Sequence, residues 1–328
     1  MKLYNFFEKT ANLGDAKFSA PKKYKKQLEK IYFILDFLVI NMYNIRMLHN
    51  IRILRIILNI RIFSNISIFI KRCTFLKIIA IANQKGGVSK TTTTQAAAEI
   101  LNGKGKRTLL VDLDPQSNLS FAVGAKIENE LTIYNVMRGE EKAENILQKT
   151  PSSDILPANI LLSGADIEFT ATGREYLLKE AISDIKQKYE YIIIDCPPSL
   201  SILTINSFTA SDYILVPSLA DVFSLQGMSQ LNTTVQSVKR YCNQSLKIAG
   251  ILLTKFTQRN IISQNIKETF DGITQQMNTK LFNTCIRNSI ALQEAQLQQK
   301  SLLEYAANSN AMEDYINFVS ELEEIINE

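Results

Sequence analysis

From Lys77 to Glu328 the chain alternates two kinds of segment. Short unbroken apolar runs appear as "KIIAIAN" (77–83), "RTLLVDLD" (107–114), "YIIIDCP" (191–197), "YILVPSL" (213–219) and "KIAGILLTKF" (247–256). Rich in Ile, Val and Leu, they read as strands covered on both faces. Between them lie stretches of helical period, among them Val222–Lys239 and Ile261–Met277. Strands alternating with helices predict an α/β fold, a mostly parallel sheet with helices on both faces. The last segment, "AMEDYINFVSELEEII", places Met312, Tyr315, Ile316, Val319, Leu322 and Ile326 on one face, the pattern of a docked amphipathic helix.

Residues 1–76 follow neither pattern. Residues 31–70 hold thirteen isoleucines, and the triplet "NIR" recurs at 44–46, 50–52 and 59–61. Asp36, Arg46, Arg52, Arg55 and Arg61 interrupt the apolar residues, so no uncharged run exceeds nine. A transmembrane helix needs about 20 predominantly apolar residues, which excludes a stable span here. A cleavable signal also fits poorly, because the apolar part begins late and no small-residue cleavage site follows. Two readings remain open. One is an amphipathic helix lying on a membrane surface. The other is a translated upstream sequence, the Ile, Asn, Lys, Tyr and Phe bias being that of A/T-rich DNA, with Leu76 marking the true start. Either way, the expected organisation is a low-complexity basic leader over 1–76 and one domain over 77–328.

Charge sharpens that division. The leader carries 14 Lys and Arg against 4 Asp and Glu, whereas 77–328 carry 23 against 28. The net charge of +5 therefore belongs to the leader and says nothing about nucleic-acid binding by the rest. The four cysteines, Cys73, Cys196, Cys242 and Cys285, form no CxxC pair, and the single histidine, His49, lies in the leader. Zinc sites, thioredoxin-type chemistry and histidine catalysis are thereby excluded from 77–328.

The chemistry is concentrated in "NQKGGVSKTTTTQ" (83–95), between a buried strand and a helix start. Gly86 and Gly87 let backbone N–H groups approach a phosphate closely, with Val88 and Ser89 completing the turn. Lys90 is placed to reach β- and γ-phosphates, Thr91 to hold Mg²⁺, and Thr92 continues the helix start, whose dipole favours an anion. Ser89 stands where the usual pattern has its last glycine, and a small residue is expected to take helical angles there at little cost. A second lysine, Lys85, cannot readily share the same phosphates from the opposite end of the loop. It makes most sense reaching the nucleotide of a second subunit.

"KGGVSKTT" resembles the deviant Walker A loop of the ParA/Soj-type partition ATPases, within the class that includes MinD. "VDLDPQSN" (111–118) is similar to the family's switch I, and "YIIIDCPPSL" (191–200) to its Walker B and switch II. "LTINSF" (203–208), "LQGMSQL" (225–231), "ILLTKFTQR" (251–259) and "IALQEA" (290–295) extend the resemblance over roughly 77–328. It implies a P-loop NTPase fold and Mg²⁺-dependent hydrolysis of ATP. By the same resemblance Lys85 crosses a face-to-face homodimer, Asp114 positions the attacking water, and Asp112 and Asp195 support the metal. On the residues alone, Asp112 and Asp114 could simply end a strand, Asp195 beside two prolines could form a turn, and Cys196 reads as buried apolar filler.

For the family's output, the resemblance implies an ATP-bound dimer on non-specific DNA, a ParB-type partner that stimulates slow turnover, and plasmid or chromosome partitioning in the cytoplasm on the nucleoid. Residues 239–300 hold nine basic and three acidic side chains, and Lys267, Lys280, Arg287 and Lys300 are candidates for phosphate contact. A set of ordinary solvated lysines is the competing reading. Asn308 and Asn310 stand where relatives often carry arginine. Rivals within the class fail by what is missing: the tail is acidic rather than a basic membrane helix, and neither spaced cysteines nor a terminal tyrosine cluster is present. An ATP-dependent DNA-binding regulator that hydrolyses little, repressing an operon or controlling copy number, remains the alternative.

Overall fold

The computed structural model describes residues 76–328 apart from 129, 258–269, 271, 276 and 328. The five apolar runs form β1 (Lys77–Ile81), β2 (Thr108–Asp112), β5 (Tyr191–Asp195), β6 (Tyr213–Leu219) and β7 (Lys247–Thr254). Two shorter strands, β3 (Gln148–Lys149) and β4 (Asp154–Leu156), extend the sheet at one edge. The order is β3-β4-β2-β5-β1-β6-β7, parallel except for the antiparallel β3–β4 pair.

Burial on both faces follows from the strand sequences, since successive side chains point to opposite sides. Ile78 and Ala80 enter one core together with α2 (Ile202–Ala210) and α3 (Val222–Tyr241). Ile79 and Ile81 enter the other with α1 (Lys90–Gly103) and, later in the chain, α6 (Asn310–Asn327). Between α3 and α6 lie α4 (Ile290–Leu297) and the short α5 (Leu302–Tyr305). The helical reading of Ile261–Met277 lies largely outside the described residues.

The α6 reading needs one change. Met312, Tyr315, Val319, Leu322 and Ile326 are buried, but Ile316 is exposed and Phe318 takes its place in the core. The buried arc is displaced around the helix because Phe318 meets Phe282 edge to face, with ring centroids 4.9 Å apart. Parallel connectivity puts the carboxyl ends of β1, β2, β5 and β6 side by side, and ligands of such sheets bind outside those ends.

Candidate functional site

The loop after β1 opens on Asn83, whose side-chain amide donates to the Pro217 carbonyl (2.7 Å) and whose Oδ1 accepts the Lys85 N–H (3.0 Å). These bonds pin the loop to the end of β6. On its other side the Thr254 hydroxyl donates to the Val88 carbonyl (3.1 Å). Gly87 takes φ +74°, where only glycine is unstrained, and a Cβ on Gly86 or Gly87 would meet nothing within 4 Å. The backbone there faces open space, the cradle that an incoming group would fill.

Ser89 departs from the sequence expectation. Its backbone is left-handed (φ 63°, ψ 31°) rather than helical, and its side chain makes no capping hydrogen bond. Closure of the loop onto α1 imposes that conformation, so the residue is strained rather than suited to its place. Ser89→Gly is therefore expected to stabilise the fold by about 0.5 kcal/mol, strain relief exceeding the added unfolded-state entropy, while Ser89→Val destabilises it by more than about 1 kcal/mol. Urea unfolding measures both; a glycine variant less stable than the parent would contradict this account.

Lys90 is buried, and its ammonium donates to the Lys85 carbonyl at 3.4 Å. Burial pulls its pKa below the usual lysine value, partly offset by the charge of Asp195. The Thr91 hydroxyl donates to Asp195 Oδ2 (2.7 Å), and Thr94 reaches Oδ1 (3.4 Å). Asp112 and Asp195 end adjacent strands in register. Burial, and next the Asp112 charge, push the Asp195 carboxyl up to about 8. Asp112 is pushed up to about 6 by burial, against hydrogen bonds from Ser120 and the Asp114 N–H.

Their roles separate by geometry. Both Asp112 oxygens are occupied, Oδ1 by the Asp114 N–H (3.0 Å) and Oδ2 by the Ser120 N–H (2.9 Å) and hydroxyl (2.7 Å). Asp112 thus shapes the loop after β2. Asp114 lines the cavity, with Oδ1 accepting the Gln116 N–H (3.0 Å). Cys196 is fully buried and its thiol is pushed up to about 12 by burial, which leaves it inert, in keeping with a filler.

A cavity of about 570 Å³ joins these groups. Gly86, Gly87, Ser89, Lys90, Thr91 and Thr92 line one end, with Asp114 beside them. Phe121, Ile286, Leu292 and Leu297 give it an apolar wall. Its size suits a small ligand, and its lining combines the phosphate-loop groups with apolar side chains and with the polar Lys255, Arg287 and Gln293.

Lys85 forms an ion pair with Asp221, which also caps α3 by accepting the Ser224 N–H (2.8 Å) and hydroxyl (3.0 Å). The sequence reading missed Asp221. Its only local signal was an acidic residue followed three positions on by serine at a helix start.

The basic candidates differ in what surrounds them. Lys267 lies outside the described residues. Arg287 is committed within the chain: Nε and an Nη meet the two oxygens of Asp314 (2.8 and 2.7 Å), and the same Nη reaches the Asn310 carbonyl (2.9 Å) and Glu313 (3.3 Å). Lys280 and Lys300 are exposed, the latter with its ammonium 5.4 Å from the Tyr305 ring centroid. Leu281 pairs with Ile251 and Arg287 with Phe256.

The AAA domain family matches residues 76–248. The sporulation initiation inhibitor protein Soj of Bacillus subtilis (strain 168) is 41% identical over 251 residues, covering 75% of this chain and 98% of that protein. This chain belongs to the ParA/Soj family of partition ATPases. The chromosome partitioning protein ParA of Caulobacter vibrioides is 36% identical, covering 75% of this chain and 94% of its own length. Among solved structures, cobyrinic acid a,c-diamide synthase from Mycobacterium smegmatis with bound ATP analog and magnesium aligns at TM-score 0.66 and 31% identity, over 75% of this chain and 93% of that one. As a ParA/Soj-family ATPase the chain has its P-loop fold where the residues placed it. Among the described residues no helix is long and apolar enough to cross a membrane.

Proposed function

We propose that this partition ATPase hydrolyses Mg²⁺-ATP in the cavity after β1, and that its ATP-bound form is a face-to-face homodimer carried on non-specific DNA. A ParB-type partner then stimulates hydrolysis, and the dimer is lost as ATP is consumed. The carrying observation is one cavity that holds Lys90, Thr91, Asp114 and the loop glycines together. The M. smegmatis neighbour, solved with an ATP analog and magnesium, supports the same ligand here.

The donors and acceptors fit that ligand. Gly86, Gly87, Val88, Ser89, Lys90, Thr91 and Thr92 offer backbone N–H groups to phosphate oxygens, and the α1 N-terminus adds its dipole. Lys90, held only by a long bond to a loop carbonyl, is free to turn to a phosphate oxygen. Thr91 and Asp195 would hold Mg²⁺, which supplies Lewis-acid stabilisation of the charge developing on the phosphate. Asp112 keeps the loop after β2 in place. The second oxygen of Asp114 accepts a hydrogen bond from water and orients it for in-line attack.

Lys280 and Lys300, with Lys267, are the proposed phosphate contacts on DNA, and Arg287 braces α6 instead. The protein would then act in the cytoplasm on the nucleoid. The compact unit Thr74–Glu328 supports 77–328 as the ATPase domain, with the leader outside it.

Asp114→Ala tests the core of the proposal. The variant is expected to bind ATP as the parent does and to lose hydrolysis by about 100-fold or more, leaving a dimer that light scattering detects with Mg²⁺-ATP. A monomeric variant that hydrolyses at the parental rate would refute the assignment. Steady-state hydrolysis of the parent with DNA and partner separates the enzyme from a regulator that only binds.

A further inference from the structure

Beyond the phosphate loop, a partly buried polar relay ties α1 to α4 and α5. Thr92, Gln95 and Glu99 lie three and four residues apart and share one face of α1. The Thr92 hydroxyl donates to Gln296 Oε1 (3.2 Å), Gln296 Nε2 to Gln95 Oε1 (3.0 Å), and Gln95 Nε2 to Glu99 Oε1 (2.9 Å). The other Glu99 oxygen accepts the Ser301 hydroxyl (2.8 Å) and the Leu303 N–H (3.1 Å). Gln95 and Glu99 are buried.

The relay has a fixed polarity. A carboxylate only accepts, so Glu99 requires the Gln95 amide to present its nitrogen and therefore to turn its oxygen toward Gln296. Gln296 must then donate to Gln95 and present its own oxygen to Thr92. The Thr92 hydroxyl hydrogen is consequently directed to α4 and not to a phosphate, while the Thr92 backbone N–H is left to the loop. Gln296 is the one member on α4, the helix that also supplies Leu292 and Leu297 to the cavity's apolar wall. Leu297 is 74% exposed, so packing alone holds that end of the helix weakly.

We propose that Gln296 is a positioning residue: anchored through Gln95 to Glu99, it holds α4 at a set distance from the phosphate loop and so fixes the fit of the nucleoside end of ATP. The proposal rests on the reading of the cavity as a nucleotide site. Phosphates belong at the loop, and the apolar base belongs against Phe121, Leu292 and Leu297. A loosened α4 therefore weakens the hold on the nucleoside and leaves the hold on the triphosphate alone.

Titration calorimetry of the full chain with ATP and, separately, with inorganic tripolyphosphate is the test. Gln296→Leu is expected to weaken ATP binding about tenfold, the size of the two part-buried hydrogen bonds it loses, while tripolyphosphate binding stays within about twofold. Glu99→Gln, whose amide can partly re-satisfy the relay, should show the same selective loss to a smaller degree. If Gln296→Leu does not fold, Gln296→Met keeps the length of the side chain while removing both of its relay bonds, and the selective loss is expected there. Equal loss for both ligands, or no loss for either, would overturn the positioning role and leave the network purely structural. A parent protein that binds neither ligand would instead refute the nucleotide reading itself.

Discussion

Lys90→Ala is expected to abolish ATP hydrolysis without destabilising the nucleotide-free protein. The ammonium is buried, its pKa lowered by desolvation more than the Asp195 charge restores it. A buried cation in that condition adds little stability of its own. Its removal should leave the melting temperature of the free protein nearly unchanged, since the lost 3.4 Å bond to the Lys85 carbonyl and the lost attraction of Asp195 are offset by relief of the cost of burying the charge. The effect on function has the opposite sign and is large. Without Lys90 the β- and γ-phosphates lose the one cation the loop directs at them, at a site where desolvation strengthens charge interactions. ATP affinity should fall by about 100-fold or more, and the ATP-induced rise in melting temperature should vanish with it. Nucleotide titration and thermal melts with and without Mg²⁺-ATP measure both arms. Unchanged affinity together with unchanged turnover would remove Lys90 from the site.

Much of the fold was legible because parallel strands buried on both faces leave unbroken apolar runs. All five such runs are strands, and Thr108–Asp112 and Tyr191–Asp195 are buried throughout. β3 and β4, two and three residues long, carry too little pattern to be read. The order of strands is a tertiary fact with no local trace. In the site, the glycines, Lys90 and Thr91 were marked by spacing, because phosphate chemistry constrains a contiguous loop, whereas Asp195, 104 residues from Thr91, was marked only by its segment's resemblance to the family. Ser89 was misjudged for a related reason: its left-handed backbone is set by how the loop closes, and residue type gives a small polar side chain no such signature. Asp221 and Gln296 escaped notice because their partners, Lys85 and Thr92, are 136 and 204 residues away. Arg287 shows the converse. It counted as a free positive charge in the sequence, and folding gives it a bidentate carboxylate on α6.

Lys85→Gln should fail differently from Lys90→Ala. In the single chain Lys85 pairs with Asp221, and both side chains are about one-third exposed (32% and 33%). A pair that open to solvent is worth roughly 1 kcal/mol or less, so Asp221 holds the lysine near the mouth of the site without locking it there. The proposed contact with a second subunit's phosphates sets one cation against several negative charges in an interface that excludes water, where the same charge counts for much more. The exchange therefore favours the dimer once ATP is bound on both sides. Lys85→Gln leaves the loop amides, Lys90 and Thr91 in place, and monomer affinity for ATP is expected to stay within about threefold of the parent. ATP-dependent dimerisation is expected to disappear, since two sets of phosphate charge would then face each other with no crossing cation, and DNA binding and partner-stimulated turnover should go with it. Asp221→Asn supplies the control, because it frees Lys85 while keeping a side-chain oxygen to cap α3; it should dimerise at least as readily as the parent. Sedimentation of both variants with Mg²⁺-ATP decides the matter. A normal dimer from Lys85→Gln would reduce Lys85 to a solvated partner of Asp221 and leave the homodimer to be explained by other contacts.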